Sequence, residues 1–205
     1  MKPETLHTLI FASNNQHKVL EVRSALGEKF KIVTLPEAGI NIDIAEPFDT
    51  IEENAVEKAS VIYDLTNTDC FADDTALEVD ALNGEPGVRS ARYADAGNAN
   101  LQTNSSGENN IAKLFKALEG IENREAAFRT VICLILNGEK HMFEGICKGI
   151  IIAEKRGQYG FGYDPVFMPL KSNKTLAEMD MDEKNQFSHR KKAVDKLVVF
   201  LQKEI

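Results

Sequence analysis

At 205 residues the chain is long enough for one well-cored domain, and 43% hydrophobic with 27% charged residues is the balance of a globular protein. No apolar run approaches the ~20 residues a bilayer-spanning helix needs, and Ser13 with two asparagines cuts short the apolar stretch of MKPETLHTLIFA, so neither a membrane span nor a signal peptide is expected and the cytoplasm is. A net charge of −8 with no basic tract argues against nucleic-acid polymers and acidic membranes as partners, while a small polyanion stays open if placed cations and a divalent metal reverse the field locally.

Thr8 to Ala12 (TLIFA) reads as a short buried strand, and His17 to Leu26 as a helix, because Val19, Val22 and Leu26 recur at helical spacing before Gly27. Between them lies Ser13-Asn14-Asn15-Gln16-His17-Lys18. A helix start offers unpaired N–H groups and positive potential, which suit an anion. Lys18 in the first turn opposes the dipole unless an anion comes between them. An Asn cap followed by a solvated lysine is the plainer reading. The glycines of a Walker or dinucleotide loop are missing.

KIVTL from Lys31 is a second strand. Thr50-Ile-Glu-Glu53 has the form of a capping box and opens a helix to about Leu65. On it Ala55, Lys58 and Ile62 share a face. Lys58 either points inward to a carboxylate or ligand, or snorkels at the edge of the stripe.

FADDTALEVD, Phe71 to Asp80, sets two adjacent carboxylates between apolar runs, where charge is costly unless compensated. The alternation of LEVDAL from Leu77 predicts a half-buried strand ended by GEPG. Strand geometry sends Asp73 and Asp74 to opposite faces, so different jobs are expected of them, one holding a turn and the other reaching into a cleft. Hard carboxylate oxygens suit Mg²⁺, which shares its shell with water and phosphates. A haloacid-dehalogenase nucleophile requires one residue between its aspartates, and a capped turn is the plainer alternative.

Residues 94–110, rich in Asn, Gly and Ser, predict an exposed mobile loop ahead of the helix IAKLFKAL. Strands follow at FRTVICLIL, HMFEGIC and GIIIAE, close enough to pair antiparallel. The cysteines Cys70, Cys133 and Cys147 sit among β-formers and read as small buried residues; neither they nor the four histidines show metal-ligand spacing.

In Gly160-Phe161-Gly162-Tyr163-Asp164-Pro165 two glycines free the backbone to approach a flat ligand, two aromatics offer a stacking wall, and Asp164 an acceptor. A tight turn with core aromatics competes with that reading. Further on, Ser188 is suited to cap a last helix whose first turn holds His189 and Arg190, with Val194, Leu197, Val198 and Leu201 forming its apolar stripe. Arg and His donors fit a purine oxygen and N7; a salt bridge from Arg190 into the acidic run 178–183 is the alternative. The alternation of helices and strands, with strands clustering later, predicts an α/β fold: a mixed central sheet flanked by helices, one domain over 1–205, its two lobes enclosing a substrate cleft.

Taken in order, SNNQHK, ENAVEKA, ADDTALEVDALNGEPGVRSARYA, FGYDPVF and KNQFSHR resemble the inosine/xanthosine triphosphate pyrophosphatase family, over nearly the whole chain. The resemblance implies hydrolysis of ITP, dITP and XTP to monophosphate and pyrophosphate with Mg²⁺, usually by a homodimer. It implies that Ser13, Asn14, Asn15, Gln16, His17 and Lys18 hold phosphates with Lys58 beside them, and that Asp74 binds metal and serves as base. It further implies that Thr75 touches substrate, and that Phe161, Gly162, Tyr163, Asp164, Lys184, His189 and Arg190 bind the nucleoside end. Glu46, in DIAEPFDT, lies where the family often has a metal-binding acid. Thr75-Ala76 stands where Ser-Gly is usual, and Ala76 would resist a left-handed backbone; Arg89 replaces a common aromatic. Rival readings are a Maf-type pyrophosphatase with another base preference, a nucleotide sensor without turnover, and an interaction module whose motifs are only caps and turns.

Overall fold

The computed structural model describes residues 7–27, 30–95 and 106–204. In chain order the elements are β1 (Thr8–Phe11), α1 (Gln16–Leu26), β2 (Lys31–Thr34), α2 (Ile51–Thr66), β3 (Cys70–Val79), β4 (Pro86–Gly87) and α3 (Gly107–Ala117), then β5 (Glu125–Leu136), β6 (Glu139–Ile151), β7 (Phe167–Pro169), α4 (Met181–Phe187) and α5 (His189–Glu204). The strands form one mixed sheet in the order β2-β1-β3-β5-β6-β7, with β4 on β3. β1 runs parallel to β2 and β3, while β4 on β3 and β7 on β6 are antiparallel.

Local chemistry sets the boundaries. Asn15 caps α1, its side-chain oxygen accepting from the backbone N–H groups of His17 and Lys18. Thr50 caps α2 by accepting from Glu53 N–H, and its hydroxyl donates back to the Glu53 carboxylate. Ser106 caps α3. Asn137-Gly138, both at positive φ, link β5 to β6 in two residues, the loop length and chemistry of a tight hairpin.

The structure differs from the sequence expectation in three places. The strand read from Leu77 begins at Cys70 and takes in both carboxylates, as the alternation expected of them requires, and Asp80-Ala81-Leu82 turn off it as a 3₁₀ segment rather than continuing it. HMFEGIC and GII are one unbroken β6. The acidic run 178–183 leads into a short helix, α4, capped by Asp180 with Glu183 completing the box. The mobility expected of residues 94–110 falls largely on 96–105, which lie outside the described residues.

The chain divides into two compact units: 1–74, 130–145 and 190–205 form the first, 75–129 and 146–189 the second. In the first, Leu9, Phe11 and Phe71 from the sheet pack with Val19, Val22 and Leu26 of α1 and Val194, Leu197 and Leu201 of α5. Phe11 stacks on Phe71 with ring centroids 4.7 Å apart. The apolar stripes read in both helices are the faces buried here. In the second unit Leu77, Val79, Ile111, Leu114, Leu118, Phe128, Val166 and Phe167 make the core. Each fully buried Leu or Phe contributes about 1.5–3 kcal/mol, so these sets carry the rigidity on which the polar groups below depend. No described helix is long and apolar enough to cross a membrane.

Candidate functional site

The first unit gathers charges from five places in the sequence. The strand geometry of β3 sends Asp73 and Asp74 to different neighbours. Asp73 accepts from Lys18 Nζ at 3.1 Å through Oδ1 and from Arg190 Nε at 3.0 Å through Oδ2. Arg190, 2% exposed, also donates from Nη1 to Glu21 of α1. Asp74 Oδ1 accepts from Lys58 Nζ at 3.2 Å, and the same ammonium donates to Glu46 Oε1 at 2.5 Å. Lys58 is 7% exposed and Asp74 6%, so this lysine faces inward rather than snorkelling. Lys18, Asp74 and Arg190 thus belong to one connected group, linked through Asp73 and its chain neighbour.

The electrostatics follow from burial and pairing. Burial pushes the Asp73 carboxyl up, but Lys18, Arg190 and Lys58 together outweigh it and hold the group well below the usual carboxylate range. For Asp74 the balance is opposite: burial, with Glu46 and Asp73 nearby, raises the carboxyl despite Lys58 and Lys18. Burial works against the charge on Lys58, and Asp74, Glu46 and Asp73 overcome it, so its ammonium stays protonated above its usual range. Arg190 is likewise held charged by Glu21 and Asp73 against the cost of burial.

A test of metal fit comes from Asp74. Its Oδ2 is buried and has no hydrogen-bond partner, an arrangement that costs free energy unless something else occupies the oxygen. With Glu46 alongside, the donors are hard carboxylate oxygens, the chemistry Mg²⁺ selects. Among the described residues no group of three or more acid, His or Cys side chains is set to hold a metal. Two carboxylates would leave most of an octahedral shell to water and phosphate, as Mg²⁺ commonly has it. The residues fit that ion.

The Ser13–Lys18 segment lies at the N-terminus of α1. Ser13 Oγ accepts from Asn15 N–H, Asn14 donates to Ile42 O, and Gln16 and His17 are exposed. Of these six residues Lys18 reaches the carboxylate group.

The second unit holds the other set. Gly160 has φ 75°, and a Cβ there would stand 2.1 Å from Asp164 Oδ2, so only glycine lets the turn close over that carboxylate. Asp164 Oδ2 accepts from Phe161 N–H at 2.8 Å and from Lys184 Nζ at 2.6 Å, with the Lys184 ammonium 5.4 Å from the Phe161 ring centroid. Tyr163 is buried and donates to Ser90 O at 3.0 Å. Asn110 binds the same segment, donating to the carbonyls of Ser90 and Ala91 and accepting from Ala94 N–H. His189 is stacked on Phe128 at 4.8 Å. Gly162 has φ 60° and its backbone lies beside Gly107. Tyr163 therefore fastens the turn instead of offering a free stacking wall, and Asp164 braces it from inside.

Two expectations change emphasis. Arg190, expected at the nucleoside end or paired into 178–183, donates to Glu21 and Asp73. Ala76 is 1% exposed in the extended backbone of β3 and is not among the positive-φ residues, so the left-handed conformation it would resist is not required. Thr75 is half-buried on the same strand, and Arg89 is exposed. Sequence reasoning missed Glu21 and the Ser90–Asn110 brace. Glu21 stands three residues after Lys18 and so shares its helix face, which is a signal for the first; the brace leaves none in local spacing.

Residues 9–200 match the sequence profile of the Ham1 family. The chain is 49% identical over 193 residues to the dITP/XTP pyrophosphatase of Flavobacterium johnsoniae, covering 94% of this chain and 97% of that one. It is 48% identical over 197 residues to the dITP/XTP pyrophosphatase of Porphyromonas gingivalis, covering 96% and 98%. Among solved structures it is similar to the Staphylococcus aureus Ham1 protein, with a TM-score of 0.84, 38% identity and coverage of 97% of this chain and 100% of the other.

Proposed function

The chain belongs to the Ham1 family, and from that premise we propose that it hydrolyses deaminated purine nucleoside triphosphates, ITP, dITP and XTP, to the monophosphate and pyrophosphate. The observation that carries the reading is the buried, unpartnered Asp74 Oδ2 set next to the Lys58 ammonium. It pairs an acceptor for a water proton with a cation for phosphate, in a chain whose relatives are named dITP/XTP pyrophosphatases.

In this reading Asp74 and Glu46 hold Mg²⁺, which when bound supplies charge neutralisation and orientation of the phosphates. Lys18, Lys58 and the α1 N-terminus with Ser13 to His17 receive phosphate oxygens. Asp74 takes the proton from the water that attacks the α-phosphorus, and its raised pKa suits that task. Thr75 adds a hydroxyl. The Phe161–Asp164 turn, Lys184 and His189 serve the nucleoside, with donors that pair a 6-oxo group and are left unpaired by adenine's amino group. Arg190, buried under two carboxylates, fixes Asp73 rather than touching the base. The same reading has the protein act as a cytoplasmic homodimer. A sensor without turnover loses its premise, since Ala76 occupies ordinary strand backbone.

The test is a pyrophosphate-release panel with ITP, XTP, dUTP and methylated GTP, each with Mg²⁺ and with EDTA. Release from ITP and XTP that EDTA abolishes is expected. Preference for dUTP or methylated GTP would move the protein to a Maf-type specificity, and melting stabilisation by ITP without pyrophosphate would make it a sensor.

A further inference from the structure

We propose that Lys58 is a built-in stand-in cation: its ammonium keeps the two metal-binding carboxylates together while the metal is absent, and gives way when the metal arrives. This rests on the reading of Asp74 and Glu46 as metal ligands. The Lys58 ammonium lies between them, 2.5 Å from Glu46 Oε1 and 3.2 Å from Asp74 Oδ1. It reaches them from the middle of α2, where Ala55, Ala59 and Ile62 are fully buried and fix the helix in place. The head group is a compact point charge on a flexible stem, able to move while the helix stays still.

The charge balance of the group explains why such a residue is needed. In the contacts described among these residues, Lys18, Lys58 and Arg190 face Glu21, Glu46, Asp73 and Asp74. Asp73 already has two cations, whereas Asp74 and Glu46 share Lys58. Asp74 is buried and Glu46 half-buried; a buried carboxylate left without a cation is strongly destabilising, so in the metal-free protein Lys58 carries that duty. A divalent ion entering at Asp74 Oδ2 brings two positive charges where Lys58 supplies one, and repels the ammonium. The displaced head group then becomes a donor for phosphate. Metal entry and the release of a phosphate-binding cation are thereby one event, and metal binding without nucleotide is weakened by competition with the protein's own lysine.

The probe is Mn²⁺ alone, titrated into nucleotide-free protein and followed by electron paramagnetic resonance, for wild type, Lys58→Met and Lys58→Gln. The variants should bind Mn²⁺ tighter by about tenfold, within the range of coupling between linked sites. Their melting temperatures should start below wild type in EDTA and recover with Mg²⁺, while wild type changes little. Mn²⁺ binding no tighter in either variant, or an equal rise in melting temperature for wild type and variants, overturns the proposal. Should neither variant fold, lysine side-chain NMR of wild type decides: the Lys58 ammonium signal shifts on adding Mg²⁺ if the ion displaces it, and an unmoved signal at saturating metal refutes it. Pyrophosphate release from ITP by wild type is read separately. Its presence with no gain in Mn²⁺ affinity sinks only the stand-in role; its absence sinks the parent reading.

Discussion

Asp73 and Asp74 are chain neighbours held by different cations: Lys18 and Arg190 bind the first, Lys58 the second. The cations around Asp73 more than repay its burial, whereas those around Asp74 do not. In the proposed mechanism the first carboxylate is a structural anchor and the second takes the proton from water. Asp73→Asn should cost about 3–5 kcal/mol, because it breaks a buried pair and leaves Arg190 undercompensated. Asp74→Asn should leave stability near wild type and lower pyrophosphate release from ITP by about 10²–10⁴-fold. Urea denaturation and steady-state kinetics read the two; equal effects on stability would refute the division of roles.

Gly160→Ala should strike the turn that the proposed mechanism assigns to the nucleoside. The added Cβ would meet Asp164 Oδ2 and separate it from Lys184 and the Phe161 N–H. Charge-assisted hydrogen bonds of this kind contribute about 1.5–3 kcal/mol each. KM for ITP should rise by about tenfold or more, with the smaller change in kcat. Kinetics in which kcat alone falls would place the turn in the chemical step instead.

Burial pushes the Cys70 thiol up to about 12 and the Cys133 thiol to about 11. Thiolates are the reactive form, and all three cysteines are buried thiols outside any disulfide. The native protein should therefore show no fast reaction with a chromogenic disulfide reagent at pH 8. All three thiols should react in denaturant. A thiol that reacts natively, faster than the protein unfolds, would contradict the packing of β3 against β5.

Glu37 offers the pH test. Arg23 binds both its oxygens at 2.8 and 2.6 Å, Thr34 N–H donates to Oε2, and the carboxyl is held at about 2, below its ordinary 4.5. A carboxyl depressed in the folded state adds stability above its unfolded pKa, and that stability is lost as pH falls through the folded value. The loss should run from about pH 4.5 down to about 2. NMR titration of the Glu37 side chain should give a midpoint near the lower figure, and Glu37→Gln should flatten the acid limb of the melting curve. A midpoint near 4.5 would disprove the pairing.

What the sequence made legible was local. The Thr50 box, the Asn15 start and the apolar stripe of α5 are properties of neighbouring residues, and each boundary follows from them. Mixed sheet and helices followed from the same periodicities. The strand alternation at Asp73 and Asp74 was legible, with a capped turn as the rival; what stayed hidden was which cations hold them. Those cations come from positions 18, 58 and 190, and no window of sequence contains them.

β6 was hidden for a related reason. Gly149 looks like a break, yet the strand continues through it: a Cβ there would stand 2.4 Å from Met168 O and 2.6 Å from the Phe167 ring, so the glycine admits a close neighbour. The candidate site was legible as a set of polar stretches, and the partnership of Glu21 with Arg190, spanning 169 residues, was not.

Since the Asp73 and Asp74 pairs lie out of solvent, ionic strength has little hold on them. Screening acts over ~10 Å at 0.1 M salt, but only through water. Brine should weaken the exposed Arg23–Glu37 contact while leaving the interior ladder of charges standing. The molecule thus keeps its polar centre organised by electrostatics that dissolved ions cannot dilute.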